Sequence, residues 1–171
     1  MDAAGRPSGA AESATDPASP GAFLLRWWGR LARLPGGRRL FSRLVGRLAP
    51  YTGTMRARVV ALEPGFACVE LPDRRRIRNH LDSTHAIALA NLGELTSGLA
   101  LTTALPPDVR GIPVRLEIDY LKKARGRLTA ESRCDSPEEV RGPTDHEAVA
   151  QIRDSEGDTV ARLTARWKLD R

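Results

Sequence analysis

The stretch from Thr84 to about Leu101 constrains the fold most, because its sequence predicts one long helix that is apolar on nearly every side. A helix without a polar face must be buried over most of its surface. Ser83 stands immediately before it and is the predicted N-cap. The apolar residues include Ala86, Ala88, Leu89, Ala90, Leu92, Leu95, Leu99, Ala100 and Leu101. The rest of the chain must therefore supply a surface that encloses this helix.

Alternation of apolar and polar residues predicts strands on both sides of the helix. The alternation is clear over 114–121, 127–134 and 161–169, and weaker over 54–62, 65–71 and 147–154. Strands with one dry and one wet face are typical of an antiparallel sheet. Gly126 and the acidic turn over 154–158 fit the connections of hairpins.

The order of elements is two strands, the helix and then four strands, which predicts an α+β fold. An antiparallel sheet of about six strands wrapped around the central helix encloses that helix most economically, and this arrangement is the hotdog architecture. An open sheet with the helix on its outer face is the competing arrangement.

The charge distribution divides the chain into three parts. Residues 1–20 lack an apolar period and are rich in small and polar residues, so we expect a disordered tail. Residues 21–50 hold seven arginines and no acid, whereas residues 51–171, the predicted hotdog domain, carry a net charge of only +1. A nearly neutral domain argues against a nucleic-acid partner.

The basic segment over 21–50 predicts two amphipathic helices separated by the breaker Pro35-Gly36-Gly37. Neither helix reaches the roughly 20 apolar residues needed to span a bilayer. Two interpretations stay open for residues 22–48. The helices either lie on a membrane surface or pack on the following domain with their arginines in solvent.

The cysteines and the glycines limit the choice of cofactors. Cys68 and Cys134 occupy apolar strand positions far apart, and we expect buried thiols. No cluster of His, Cys and Asp has the spacing of metal ligands, and no glycine-rich turn joins a strand to a helix. We therefore expect no metal and no cofactor such as nicotinamide. Nothing requires an oxidising compartment, and we expect a cytoplasmic protein.

His85 and Glu94 are the only ionisable side chains between Ser83 and Pro107. Burial of a carboxylate in a helix is costly and should raise the pKa of Glu94, which makes this residue a candidate for a functional site. The alternative is a structural acid paired with an arginine. His85 can instead cap the helix or pack against it, and Asn79 can be a turn residue.

The spacing of His85 and Glu94 has a consequence for assembly. Nine helical residues place them about 13.5 Å apart along the axis and on opposite faces. One helix cannot bring both side chains to one substrate. If both act in one site, that site is shared by two copies of the chain, and we expect a homodimer or a dimer of dimers.

The spacing of three residues resembles a signature of the hotdog-fold thioesterase superfamily, in particular the phenylacetate-pathway type. In that signature an Asn or Gln lies six residues before a His-Gly pair and an acid lies nine residues after the His, as Asn79, His85 and Glu94 do here. Residues 118–130 are similar to that family's third-to-fourth strand hairpin. The likeness covers about 22–170 and is closest to an uncharacterised, thioesterase-like branch.

The resemblance implies an acyl-CoA thioesterase with Glu94, Asn79, His85 and Ala86 as catalytic residues. The backbone N–H of Ala86 at the helix start would polarise the thioester carbonyl. Glu94 of the partner subunit would act as general base on water or as nucleophile. Asn79 would orient the water or the carbonyl.

The same resemblance implies where the substrate binds. The phosphates of coenzyme A would be contacted by Lys122, Lys123 and Arg125. The alternative is that these three cations only form a solvated end of a strand. Ser97 is a further predicted substrate-binding residue. The chain departs from the family where glycines are usual near the helix start, since it has Asp82 and Ala86 there. Asp82 adds negative charge near the expected oxyanion.

Two other functions stay open. The first is a catalytically silent protein that binds acyl-CoA or a fatty acyl group and has lost the activity. The second is a membrane-surface adaptor that works through residues 22–48.

Overall fold

The computed structural model describes residues 19–137 and 140–171. Within these residues the helices are α1 Pro20–Leu31, α2 Gly37–Leu48, α3 Pro50–Gly53 and α4 Ala86–Ala104, with one 3₁₀ turn at Arg75–Ile77. The strands are β1 Arg58–Glu63, β2 Phe66–Leu71, β3 Arg110–Tyr120, β4 Leu128–Arg133, β5 Thr144–Arg153 and β6 Thr159–Asp170. The predicted order of two strands, a helix and four strands is confirmed.

The six strands form one sheet in the order β1-β2-β4-β5-β6-β3, and every neighbouring pair is antiparallel. Helix α4 packs across this sheet and contacts all six strands. Its inner face approaches β6 most closely at Gly93, where an added Cβ would lie only 2.7 Å from the Cβ of Leu163. Glycine at this position therefore lets the helix lie close against the sheet.

The predicted start of the central helix was wrong by two residues. Helix α4 begins at Ala86 and its N-cap is His85, not Ser83. The reason lies in tertiary hydrogen bonds, because Thr84 N–H donates to the carbonyl of Ala124 at 2.8 Å and pairs in an isolated bridge with Arg78. These contacts hold residue 84 in an extended conformation.

The predicted hairpin between the third and fourth strands was also wrong. Strand β3 pairs with β6 and strand β4 pairs with β2 and β5, so the connection through Gly126 crosses from one edge of the sheet towards the other. The hairpin predicted at 154–158 is present, because β5 and β6 pair around that turn. Gly157 has a φ of 90° there, which favours glycine.

The first strand is shorter than its predicted range over 54–62. Helix α3 and a turn occupy 50–56, and Arg56 leaves this turn with a positive φ of 53°. Of the tail predicted over 1–20, residues 1–18 lie outside the described residues. Ser19 caps α1 by accepting the N–H of Ala22 at 3.0 Å.

The N-terminal helices pack against the body of the protein. Leu24, Phe41 and Val45 are buried in the common core, whereas the arginines of α1 and α2 point to solvent. Ser42 Oγ accepts the N–H of Val59 at 3.0 Å, so α2 also covers the outer edge of β1. Among the described residues, no helix combines the length and the apolar character that crossing a membrane requires.

Replacement of Phe41 tests whether α2 is an integral part of the core. Phe41 is 0% exposed, and Phe41→Ala should lower the free energy of unfolding by about 3–5 kcal/mol. The neighbouring Leu40 is 52% exposed, and Leu40→Ala should change that free energy by less than about 0.5 kcal/mol. Urea unfolding of both variants measures the difference. Equal, small effects would contradict the packing of α2 on the domain.

Candidate functional site

The start of α4 presents an unused backbone donor. His85 Nδ1 accepts the N–H of Ile87 at 3.1 Å, and its carbonyl accepts the N–H groups of Ala88 and Leu89. The N–H of Ala86 makes no hydrogen bond to any described residue. A free N–H at a helix N-terminus is suited to a partial negative charge. His85 therefore serves as the cap that orients this end of the helix.

The loop before α4 is closed by Asn79. Its Oδ1 accepts the N–H groups of Leu81 and Ser83 at 2.9 and 3.2 Å, and its backbone N–H donates to the carbonyl of Ser83. The side-chain amide nitrogen donates to no atom in the described part of the chain. Asn79 is thus a turn residue, as one interpretation of the sequence held, and its side-chain amide nitrogen is left to donate to a ligand.

Asp82 occupies a position that favours glycine, because its φ is +56°. Its carboxylate accepts a hydrogen bond from Arg78 Nη1 at 2.8 Å, and the same guanidinium binds Asp73. These two acids raise the pKa of Arg78 above its usual value. The negative charge expected near the oxyanion is therefore offset in part by Arg78, which it shares with Asp73 and which the sequence pattern does not single out.

The connection from β3 to β4 lies against the start of α4. Tyr120 donates its hydroxyl to the carbonyl of Ala86 at 3.1 Å, and Arg125 Nη2 donates to the carbonyl of Leu81 at 3.3 Å. Burial raises the pKa of the Tyr120 hydroxyl. Tyr120 was missed as a site residue because it stands at the end of an alternating strand and looks like one more apolar position.

Two predicted substrate-binding residues are committed to other contacts. Lys122 Nζ binds the carboxylates of Asp154, Glu156 and Asp158 at 2.7–3.2 Å, so its charge is already neutralised. Ser97 is fully buried, and its hydroxyl donates to the backbone carbonyl of Glu94 at 3.1 Å. The geometry thus leaves Lys123 and Arg125, which are both exposed, as the cations near the helix start.

Glu94 is half-buried in the middle of α4 and has no ion-pair partner among the described residues. Burial alone raises the pKa of this carboxyl. One carboxylate oxygen lies 4.0 Å from the place where a Cβ of Gly98 would be, and the Trp167 ring lies beside the same place at 3.1 Å. The carboxyl therefore lies next to an apolar ring and a residue without a side chain. The alternative of a structural acid paired with an arginine has no support in this geometry.

The two halves of the predicted site lie far apart on one chain. Ala86 and Asn79 are at the start of α4, together with Tyr120 and Arg125, whereas Glu94 lies about 12 Å further along the helix. One chain therefore brings the backbone donor, the amide and the cations together but leaves out the carboxyl.

The two cysteines are buried, as predicted, and do not form a disulfide with each other. Burial raises the pKa of the Cys68 thiol to about 11, with Glu131 and Glu70 adding to the shift. Burial raises the pKa of Cys134 to about 11 as well, with a smaller contribution from Asp135. Neither thiol is suited to act as a nucleophile near neutral pH.

The chain is similar to a family of proteins and to several solved structures. The family model described as a domain of unknown function, DUF4442, matches residues 37–169. The crystal structure of the genomics protein APC5556 is 27% identical with a TM-score of 0.73, and the match covers 86% of this chain and 98% of that one. No curated protein matches the sequence.

Two further solved structures have the same fold. The protein PA5026 from Pseudomonas aeruginosa, described as a probable thioesterase, is 24% identical with a TM-score of 0.69 over 80% of this chain and 96% of its own. The protein smu.793 from Streptococcus mutans, bound to acetyl CoA, is 20% identical with a TM-score of 0.56 over 65% of this chain and 86% of its own. Solved structures described as thioesterases thus share the fold of this chain, which confirms the predicted hotdog fold and the resemblance at the level of the fold.

The backbone at Asp82 provides a test of the loop geometry. Asp82→Ala and Asp82→Gly both remove the contact with Arg78, so the difference between them isolates the positive φ. The glycine variant should be more stable than the alanine variant by about 1–2 kcal/mol, since only glycine adopts this conformation without strain. Urea unfolding measures the difference. Equal stabilities would contradict a left-handed residue 82.

Proposed function

Because the chain belongs to the DUF4442 family and has the hotdog fold of thioesterase-family proteins, we propose that it is a cytoplasmic homodimeric acyl-CoA thioesterase. The observation that carries the proposal is Glu94, a half-buried carboxyl without a cation partner among the described residues. A carboxyl that is desolvated without a structural partner suits acid–base catalysis near neutral pH. The acetyl CoA bound to the similar smu.793 protein supports a CoA ester as ligand.

The reaction needs a group that stabilises negative charge on the thioester oxygen. The free N–H of Ala86 supports this role, because a backbone donor at a helix N-terminus is fixed before the reaction begins. The guanidinium of Arg78, which also binds Asp73, offsets part of the charge of Asp82, a charge that opposes an oxyanion. Tyr120 holds the carbonyl of Ala86 and so positions the first turn of α4.

Glu94 of the partner subunit then acts as the general base. It takes a proton from water while the water oxygen forms a bond to the carbonyl carbon, and the carbonyl electrons move to the oxygen beside Ala86. When the tetrahedral intermediate collapses, the C–S bond breaks and the thiolate of coenzyme A takes the proton from Glu94. Direct attack by Glu94 on the carbonyl carbon is the alternative.

Binding of coenzyme A would use Lys123 and Arg125, two exposed cations that form no salt bridge with a described acid. Lys123 and Arg125 are exposed on the connection that touches the 79–84 loop, where phosphates of a bound CoA ester could meet them. Asn79 has a side-chain donor left to orient the water or the carbonyl. Lys122 is left out of this set, because three carboxylates surround its ammonium group.

The exposed edge of strand β3 is an argument for the second subunit in this proposal. It is an edge strand, and its residues Leu116, Ile118 and Tyr120 pair with core residues of β6 and so share the inner face of the sheet. Leu116 and Tyr120 are nevertheless 48% and 49% exposed. An unpaired strand edge with apolar side chains fits pairing with a second copy, which would bring the partner's helix α4 over this face.

A catalytically silent acyl-CoA-binding protein is the second candidate. The observation that favours it is that this chain has side chains near the helix start, where the family usually has glycines. Ala86 and the exposed Ile87 narrow the approach of a ligand to the backbone there. Release of free thiol from a panel of acyl-CoA esters distinguishes the two functions. The silent protein would bind these esters without turnover.

Replacement of Glu94 tests the catalytic assignment. Glu94→Gln keeps the volume but cannot take a proton, so turnover should fall about 10²–10⁴-fold. Glu63→Gln, at an exposed position on the far edge of the sheet, is the matched control and should retain wild-type turnover. Thiol release per folded molecule is the measurement, and wild-type turnover of Glu94→Gln would refute the assignment.

The stability of the same variant gives an independent readout. Burial raises the pKa of Glu94 in the folded protein, so its contribution to stability is present below the unfolded pKa and is lost as pH rises through the folded pKa. Glu94→Gln should therefore be at least as stable as the wild type at neutral pH, and any advantage should shrink on acidification. A clear loss of stability at neutral pH would instead indicate a hidden cation partner.

A charge on the inner face of β3 tests the dimer. Leu116→Lys should give a monomer and abolish turnover, because it places an ammonium group on the apolar edge that a second copy would cover. Leu34→Lys is the matched control, since Leu34 is 57% exposed on the N-terminal segment. Light scattering and thiol release are measured together. A Leu116→Lys protein that stays dimeric and active would contradict this interface.

A further inference from the structure

A concave surface lies beside α2, near the β1 edge of the sheet and away from β3. We call it the arginine groove. It has a volume of ≈ 900 Å³, and its charged lining consists of Arg39, Arg43, Arg47, Arg56, Arg74 and Arg76. A smaller hollow of ≈ 410 Å³ shares three of these arginines and adds Arg75. Sites for small molecules commonly have volumes in this range.

The arginines of the groove have no acidic partners among the residues that the structure describes. Neither lining includes a carboxylate, and in residues 19–137 and 140–171 none of the seven guanidinium groups lies within salt-bridge distance of an acid. Elsewhere in the same residues cations do find carboxylates, as Arg78, Lys122 and Lys168 show. The groove is therefore a concentration of positive charge that no described carboxylate neutralises, and Arg74 is its least exposed member.

This concentration opposes the folded state. Arg74 is only partly exposed, and burial together with the charges of Arg56 and Arg58 lowers the pKa of its guanidinium. The floor of the groove is apolar, with Val45 and Val59 buried beneath the charged walls. Like charges over a dry floor repel more strongly than in open water, and a bound anion would relieve that repulsion.

We propose that the arginine groove binds a ligand carrying at least two phosphate charges. Guanidinium groups match phosphate oxygens with paired N–H donors, and several of them converge here from α2, from the turn before β1 and from the 3₁₀ turn. A single carboxylate would leave most of this charge unpaired. The ligand chemistry is shared by free polyphosphates and by phosphate-bearing lipid headgroups.

The groove lies apart from the proposed thioester site and does not rest on it. Leu95 lines the groove, whereas the neighbouring Glu94 lies beside Gly98 and Trp167, about 100° further round α4. A failure of thioester hydrolysis would leave the groove proposal standing, and absence of phosphate binding would leave the thioesterase proposal standing.

The test compares two pairs of arginines in the full chain. Arg43→Gln/Arg74→Gln removes two walls of the groove, and Arg26→Gln/Arg33→Gln removes the same charge from exposed positions outside it. Calorimetric titration with inorganic pyrophosphate at low, matched ionic strength is one arm. Co-sedimentation with phosphatidylcholine vesicles, with and without phosphatidic acid, is the other. Thermal unfolding checks that each variant is folded.

In at least one arm the wild type should bind saturably, and the groove pair should weaken that binding at least about tenfold while the control pair changes it less than about twofold. Binding of pyrophosphate identifies a soluble ligand, and binding only to phosphatidic acid vesicles identifies a lipid headgroup. Equal weakening by both pairs would overturn the proposal, because it would reflect net charge alone. Absence of saturable binding in both arms would overturn it as well.

Discussion

The burial of α4 is the constraint on which the rest of the structure depends. The helix is apolar on nearly all sides, and it can lie close to the sheet because Gly93 leaves room for Leu163. Burial of its leucines removes their apolar surface from water, which favours the folded state. The sheet packs against one side of the helix, and helices α1 and α3 cover further parts of it. The only carboxyl on this helix is consequently held in a desolvated position.

The same burial fixes where chemistry can occur. A long central helix exposes its start, where no described residue accepts the N–H of Ala86, and places Glu94 more than two turns away. Edge strand β3 continues the apolar inner face of the sheet, and its residues Leu116 and Tyr120 stay about half exposed although α4 contacts this strand. The helix start of the proposed site and the half-exposed apolar residues of β3 thus lie on the same side of the molecule, as the hydrogen bond from Tyr120 to Ala86 indicates. A second copy would complete the site and cover these residues, and this coincidence is the physical basis of the proposed homodimer.

The sequence predicted the strands, the central helix and the hotdog fold because alternation and periodicity report burial directly. It could not predict the helix start, because the bond from Thr84 to Ala124 joins residues forty positions apart. It also assigned Lys122 to phosphate binding, since nothing local reveals that the turn of β5 and β6 brings three acids to this lysine. The compensation of Asp82 by Arg78 was equally hidden, although Glu94 stood out as the one acid in an apolar helix.

The most direct test of a shared site uses two defective chains in one dimer. Asn79→Asp keeps the oxygen that closes the loop but removes the amide donor, and Glu94→Gln removes the base. If each site combines the helix start of one chain with Glu94 of the partner subunit, a mixed dimer has one intact site. Coexpressed chains with different tags, purified on both tags, should then show about half the wild-type thiol release per dimer, while each parent dimer is nearly inactive. A mixed dimer no more active than its parents would contradict the shared site.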